Sequence, residues 1–341
     1  MIKGESFTDV YIQLARLIRD EHEYMPSPRD MRVKESLGVR FEITNARDRL
    51  LYIPAREMSI GYTIAEALWY FLGDNKIDWI SYYSGFWNKI SDDGETANSA
   101  YGARIFKAHQ RVRLSHIEDQ SQWNWVINEL CSDAASRRAY IHIKSPLDSQ
   151  AKFDVPCTIG LQFFIRDKKL HLLVNMRSSD LILGITYDVP AFTLMQEAML
   201  LELRSRGLEL DLGRYVHTSN SLHVYERHFT MLNEIADTQC VNKPGSMSAM
   251  PHFDASTFET LNQLQATFRT GEALAASTAV IIASLDDYYG DWARILYAHA
   301  LRMQCIAAVR TDAHSLFDEK QTLLAVVKSQ LNFEGYKRFD K

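Results

Sequence analysis

The residues of this chain best suited to chemistry are gathered between Asp154 and Asp188, in DVPCTIGLQFFIRDKKLHLLVNMRSSDLILGITYD. Cys157 follows a proline near the start of this stretch, and Arg177-Ser178-Ser179-Asp180 stands near its end. Two readings fit that arrangement. In one, Cys157 is a small buried hydrophobe and Arg177 and Asp180 form a structural ion pair. In the other, Cys157 is a thiolate nucleophile beside an arginine whose charge lowers the thiol pKa and holds a phosphate. Elsewhere, Glu66 interrupts the apolar run IGYTIAEALWYFLGD, where a carboxylate is costly without a partner. It is therefore either a capped structural acid or a general acid/base of raised pKa.

The elements that must position these residues follow from periodicity. Ile159–Ile165 and Leu170–Asn175 are rich in β-branched and aromatic residues and flank the polar turn Arg166–Lys169, so they predict a hairpin. Residues 5–22 and the run around Glu66 carry apolar side chains at helical spacing, the latter ending at Gly73. Between them, Pro26 and Pro28 predict a loop that carries Arg29 and Arg32, and residues 40–53 predict a strand, a turn and a second short strand. An irregular stretch, 84–106, leads through Trp87 to Tyr101-Gly102, and a helix is expected over 107–135, with Trp123, Trp125, Val126 and Leu130 as its buried stripe. Arg137 and Arg138 then precede a strand at 139–143 and form a solvated corner or a phosphate cap. A long helix is expected with Pro190 in its first turn and Gly207 at its close. GRYVHTSNSLHVYERHF alternates as a strand does, and its His217, Asn220, Ser221, His223 and Tyr225 suggest a lined pocket. From Ala255 onward the pattern is helical.

Composition narrows the classes. With 341 residues, 46% hydrophobic and 24% charged, the chain is long enough for a sizeable core. A net charge of −5 gives no general attraction to nucleic acid, so any anion site must be local. The four cysteines have no spacing suited to zinc, no metal is expected, and thiols and flanking sequence point to the cytosol without a membrane segment.

Taken in order, Glu66-Ala67-Leu68-Trp69, Tyr101-Gly102, Arg137-Arg138, Pro156-Cys157, Gln162-Phe163, Arg177-Ser178-Ser179-Asp180, Leu183-Gly184 and His217…His223-Val224-Tyr225 resemble the thymidylate synthase family over roughly residues 5–240. Three departures look like the phage-type deoxycytidylate hydroxymethylases within it. Thr158 follows Cys157, Met176 precedes Arg177, and Asp188 stands where the pyrimidine-reading asparagine is usual. The resemblance implies an α/β (α+β) fold with a mixed sheet used for dimerisation, a catalytic domain over 1–250 and a helical extension over 251–341.

It also implies a reaction. Cys157 would attack C6 of a pyrimidine nucleotide, and C5 would take a one-carbon unit from 5,10-methylenetetrahydrofolate, leaving a methylene group to be hydrated or reduced. Glu66 would move protons near N3 and N4 and order water. Asp188, ionised, would accept from the cytosine N4 amine and favour a proton on N3. Arg177 and Ser178 would hold the 5′-phosphate, with Arg29, and with Arg137 and Arg138 of a second subunit in a homodimer. His223 and Tyr225 would bind the 3′-hydroxyl, Asp180 and Gln162 would line the base pocket, and Trp87 and Tyr101 would contact folate. The substrate favoured is dCMP. CMP, a methylated product, a nucleotide-binding module without catalysis and a cysteine hydrolase using His217 or His223 are the alternatives.

Overall fold

A computed structural model describes residues 1–107, 121–151, 153–239, 241–272, 274–311 and 313–338. Residues 108–120, expected as helix, and Cys240 lie outside them. The strands are β1 (Ile2–Gly4), β2 (Val33–Ile43), β3 (Tyr140–His142), β4 (Thr158–Arg166), β5 (Lys169–Met176), β6 (Ser179–Asp180) and β7 (Asp211–Tyr225). They form one mixed sheet in the order β1-β2-β7-β5-β4-β3, with β6 beside β7. The helices before the extension are α1 (Phe7–Asp20), α2 (Ile60–Phe71), α3 (Ile80–Tyr83), α4 (Phe86–Ile90), α5 (Tyr101–Phe106), α6 (Gln122–Ser132), α7 (Ile185–Ser205) and α8 (Phe229–Ala236). Four more follow: α9 (Ala255–Arg269), α10 (Ala276–Ser284), α11 (Asp287–Arg310) and α12 (His314–Ser329).

The β4–β5 hairpin has the register its sequence requires. Arg166 pairs with Lys169, and Asp167 and Lys168 both take positive φ, 50° and 54°, the backbone of a two-residue turn whose twist matches the strands. Three other stretches differ from expectation. Strand β2 begins at Val33, because β7 offers a long antiparallel partner, Val33↔Tyr225 through Ile43↔Tyr215, that pairs even the polar Lys34-Glu35-Ser36. Residues 50–53 are buried but do not form a strand. Helix α7 starts at Ile185, so Pro190 falls in its second turn and Asp188 in its first.

One hydrophobic cluster joins the sheet, α1, α2 and α7 to the extension, with Phe41, Trp69, Phe192 and Trp292 among its buried side chains. Helix α2 is the hub. All its residues are buried, and α5, α7, α9 and α11 pack around it. Two glycines permit the closest approaches: a Cβ at Gly102 would stand 2.1 Å from the Tyr70 carbonyl oxygen, and one at Gly61 would stand 2.5 Å from His299 Nδ1. Gly102 thereby lets the Tyr101 ring stack on Tyr70, with ring centroids 5.5 Å apart.

Candidate active site

The site is assembled from the middle of α2, the first turn of α7, the entry to β4 and the turn after β5. Tyr62 and Tyr70 lie four residues before and after Glu66, on the same face of α2. Tyr62 Oη donates to Glu66 Oε1 at 2.6 Å, and Tyr70 Oη approaches the same oxygen at 3.4 Å. Trp87 Nε1 donates to Tyr62 Oη at 3.2 Å, and Trp87 is 4% exposed, so it stands in the wall behind the glutamate. Burial pushes the Glu66 carboxyl up to about 7, against the two phenol bonds, which pull it down. The value suits proton transfer at neutral pH.

Asp188 faces the same interior. Burial holds its carboxyl well above the usual range, and the Glu66 charge adds to the effect. Both effects oppose the ionised form expected of Asp188. The phenols of Tyr70, Tyr101 and Tyr215 lie in its electrostatic field, and the Cys157 thiol lies there too.

Cys157 is half-buried just ahead of β4, and its carbonyl accepts the Arg177 backbone N–H at 2.8 Å. The Arg177 guanidinium clasps the same segment, donating from Nε to the Pro156 carbonyl at 2.9 Å and from Nη2 to the Val155 carbonyl at 2.7 Å. Burial raises the thiol pKa; Arg177 and Arg29 lower it, and Asp188 and Asp154 raise it further. The arginine is where the motif placed it, but the expected net lowering does not occur, because desolvation outweighs its charge. Arg29 takes φ 54° and Asp30 φ 60°, left-handed backbone that non-glycine residues rarely adopt. That conformation leaves Arg29 exposed yet within electrostatic reach of Cys157.

Asp180 shapes the path to Asp188. Its Oδ1 accepts the backbone N–H of Ile182 at 2.7 Å and of Leu183 at 3.0 Å, and Oδ2 is buried without a partner. The same turn is pinned by Tyr11 Oη on the Leu181 carbonyl and Arg56 Nε on the Ile182 carbonyl, each 2.9 Å. His223 pairs in register with Asp180 across β6 and β7, and its ring meets that of Tyr225 edge-on at 5.3 Å. Ser178 is half-buried between Arg177 and β6.

Gln162, Arg137 and Arg138 lie elsewhere in the chain. Gln162 is four residues along β4 from Thr158, roughly 13 Å at 3.3 Å per residue, and its Nε2 donates to the Arg137 carbonyl at 2.8 Å. Arg138, 77% exposed, forms a two-point contact with Glu129 at 2.9 and 3.2 Å beside the edge strand β3. Missed by the sequence reading were Tyr62 and Tyr70, although their i±4 spacing from Glu66 was visible, and the Asp154 carboxyl, which accepts the Ser99 N–H at 2.8 Å.

A sequence profile of the family described as thymidylate synthase matches residues 9–266. The chain belongs to that family. The match reaches into α9, past the end of the resemblance read from motifs. Over 226 residues the chain is 29% identical to the deoxyuridylate hydroxymethyltransferase of Bacillus phage SP01, a match covering 65% of this chain and 58% of that relative. The chain thus spans little more than half of that relative's length. Its fold is similar to the thermostable thymidylate synthase A from Bacillus subtilis, with a TM-score of 0.55 and 20% identity over 72% of this chain and 86% of that one. Among the described residues no helix is long and apolar enough to cross a membrane, and no group of three or more His, Cys, Asp or Glu could hold a metal ion.

The raised Glu66 carboxyl fixes a sign for stability. Its folded value of about 7 lies above the ordinary glutamate value of 4.5, so the unfolded chain ionises first as pH rises. Stability is highest below the unfolded value, falls through the window between the two and levels off above the folded one, a loss on the order of 3 kcal/mol at 1.36 kcal/mol per unit. Glu66→Gln should therefore gain stability relative to the wild type as pH rises from 4.5 to 7. Urea unfolding at several pH values checks this. Parallel stability curves for the two proteins would show that Glu66 ionises normally.

Proposed function

We propose that this protein transfers a one-carbon unit to C5 of a cytidine monophosphate, dCMP in preference to CMP, and releases the 5-hydroxymethyl nucleotide. The observation that carries the reading is the enclosed pair of carboxyls, Glu66 and Asp188, beside the Cys157 thiol. Two such groups in one buried space do not both ionise, and the phenol donors on Glu66 favour its charged form, so the proton belongs on Asp188. A neutral Asp188 donates O–H to cytosine N3 and accepts from the N4 amine. Once Cys157 has lost its proton to solvent, the thiolate bonds to C6, the Asp188 proton passes to N3, and the resulting carboxylate faces two N–H donors while C5 becomes nucleophilic. Glu66, held by its two tyrosines, is the acid/base that orders water and moves protons along the same edge of the base. Arg177, Ser178 and Arg29 take the phosphate, and His223 and Tyr225 take the 3′-hydroxyl.

The one-carbon donor this family implies is 5,10-methylenetetrahydrofolate, which supplies carbon at the oxidation level of formaldehyde. Tyr101, stacked on the Tyr70 ring beside Glu66, would contact the folate; Trp87, expected as a contact, supports Tyr62 from behind. The exposed Arg137 and Arg138, and the half-buried row Gln162, Leu173 and Asn175 on β4 and β5, support a homodimer in which those arginines serve the partner's phosphate site.

A second reading, uridylate as substrate, is favoured by the printed activity of the phage SP01 relative. A neutral Asp188 is compatible with it, since it can accept from N3–H and donate to O4. Mass analysis of products from dCMP, CMP and dUMP with methylenetetrahydrofolate separates the readings. The expected result is one hydroxymethyl group added, with dCMP used fastest. Product from dUMP alone would overturn the cytidylate assignment, and a methyl product would overturn hydration.

Asp188→Asn tests the base reader. An amide cannot yield a proton to N3, so kcat/KM for dCMP should fall by roughly 10²–10⁴, the range for a lost acid/base, while uridylate, which already carries N3–H, is spared. An unchanged dCMP:dUMP ratio would remove Asp188 from base recognition.

A further inference from the structure

The site above leaves one buried polar group unused. His217 on β7 is fully buried, and so is Tyr215; Ser179 on β6 is 2% exposed. Tyr215 Oη lies 2.8 Å from His217 Nδ1, and His217 Nε2 lies 3.4 Å from Ser179 Oγ. The imidazole plane is set by Phe41, stacked on it at 4.7 Å and 8°. Burial pushes His217 down to about 3, so it is neutral at any working pH and carries one donor and one acceptor nitrogen.

We propose that Tyr215, His217 and Ser179 form a buried hydrogen-bonded strut that fixes the Arg177–Asp180 turn, making nucleotide affinity depend on which nitrogen of His217 bears the proton. The direction of the chain follows from what each end can accept. If His217 carried its proton on Nδ1 and donated to Tyr215, the phenolic proton would need another acceptor in the core. No hydrogen bond from Tyr215 other than that to His217 occurs among the described residues. Tyr215 therefore donates to Nδ1, Nε2 bears the proton, and Nε2–H donates to Ser179 Oγ. Ser179 in turn pairs with Leu222 of β7 and directly follows Arg177-Ser178. A loosened Ser179 thus displaces the two residues assigned to the phosphate. At its other end Tyr215 lies in the field of Asp188. All three are positioning residues.

The inference rests on the reading that Arg177 and Ser178 hold a nucleotide phosphate, and two measurements on the full-length protein keep the two apart. In Tyr215→Phe, which preserves shape, ¹⁵N spectra of His217 should change from a single Nε2–H tautomer to a mixture. Calorimetry should show dCMP binding about tenfold weaker, the scale of one net hydrogen bond, and deoxycytidine binding unchanged. His217→Gln, whose amide can still donate to Ser179, should retain most of the dCMP affinity. Equal losses for dCMP and deoxycytidine, or an unaltered tautomer and affinity in Tyr215→Phe, would overturn the strut. Failure of the wild type to bind dCMP would sink the functional reading and the affinity claim together, while the tautomer measurement would still report whether the chain exists.

Discussion

A carboxyl placed in the middle of a helix with no exposed residue must find donors inside the protein, and here Tyr62 and Tyr70 supply them. Much of the surrounding structure depends on that arrangement. The Trp87 indole orients Tyr62, the Tyr101 ring stacks on Tyr70, and Gly102 permits that contact by letting α5 meet the α2 backbone at Tyr70. An acid held this way is neither fully charged nor fully neutral near pH 7, which is the property a proton carrier needs.

The extension takes part in holding α2. Helices α9 and α11 pack on it, and the close contact at Gly61 brings His299 of α11 against its first turn. The C-terminal segment is fastened in turn: Asp291, 2% exposed, accepts the backbone N–H groups of Asn332 and Phe333 and seats Tyr336 in the core. On the far side, the buried Glu197 of α7 joins Arg47, Arg49 and the Met250 amide, tying the loop before α9 to the helix that carries Asp188. Breaking a buried pair of this kind leaves an uncompensated charge, so such contacts fix geometry more than they add net stability.

Much of this was legible in the residues. The hairpin was written in two β-branched and aromatic runs around Asp167-Lys168, α2 in its apolar spacing, and β7 in its alternation. What escaped depended on distant partners. Lys34-Glu35-Ser36 does not look like a strand, yet it pairs with β7 almost two hundred residues later in the sequence. Pro190 suggested a helix start, but α7 begins five residues earlier, at Ile185, directly after the turn held by Asp180, so that Asp188 falls in its first turn. The motif order identified Cys157, Glu66 and Asp188 as a set, but not their protonation. That depends on desolvation, which only the folded surroundings determine.

The central claim is that Cys157 adds to C6 of the base while Asp188 and Glu66 manage the protons. Exchange of the C5 hydrogen of dCMP with solvent, measured without folate, tests it most directly because it needs only the nucleotide, the thiol and the carboxyls. The wild type should exchange that hydrogen, and Cys157→Ser should bind dCMP but exchange it no faster than free nucleotide does. Exchange by Cys157→Ser at the wild-type rate would contradict the covalent mechanism.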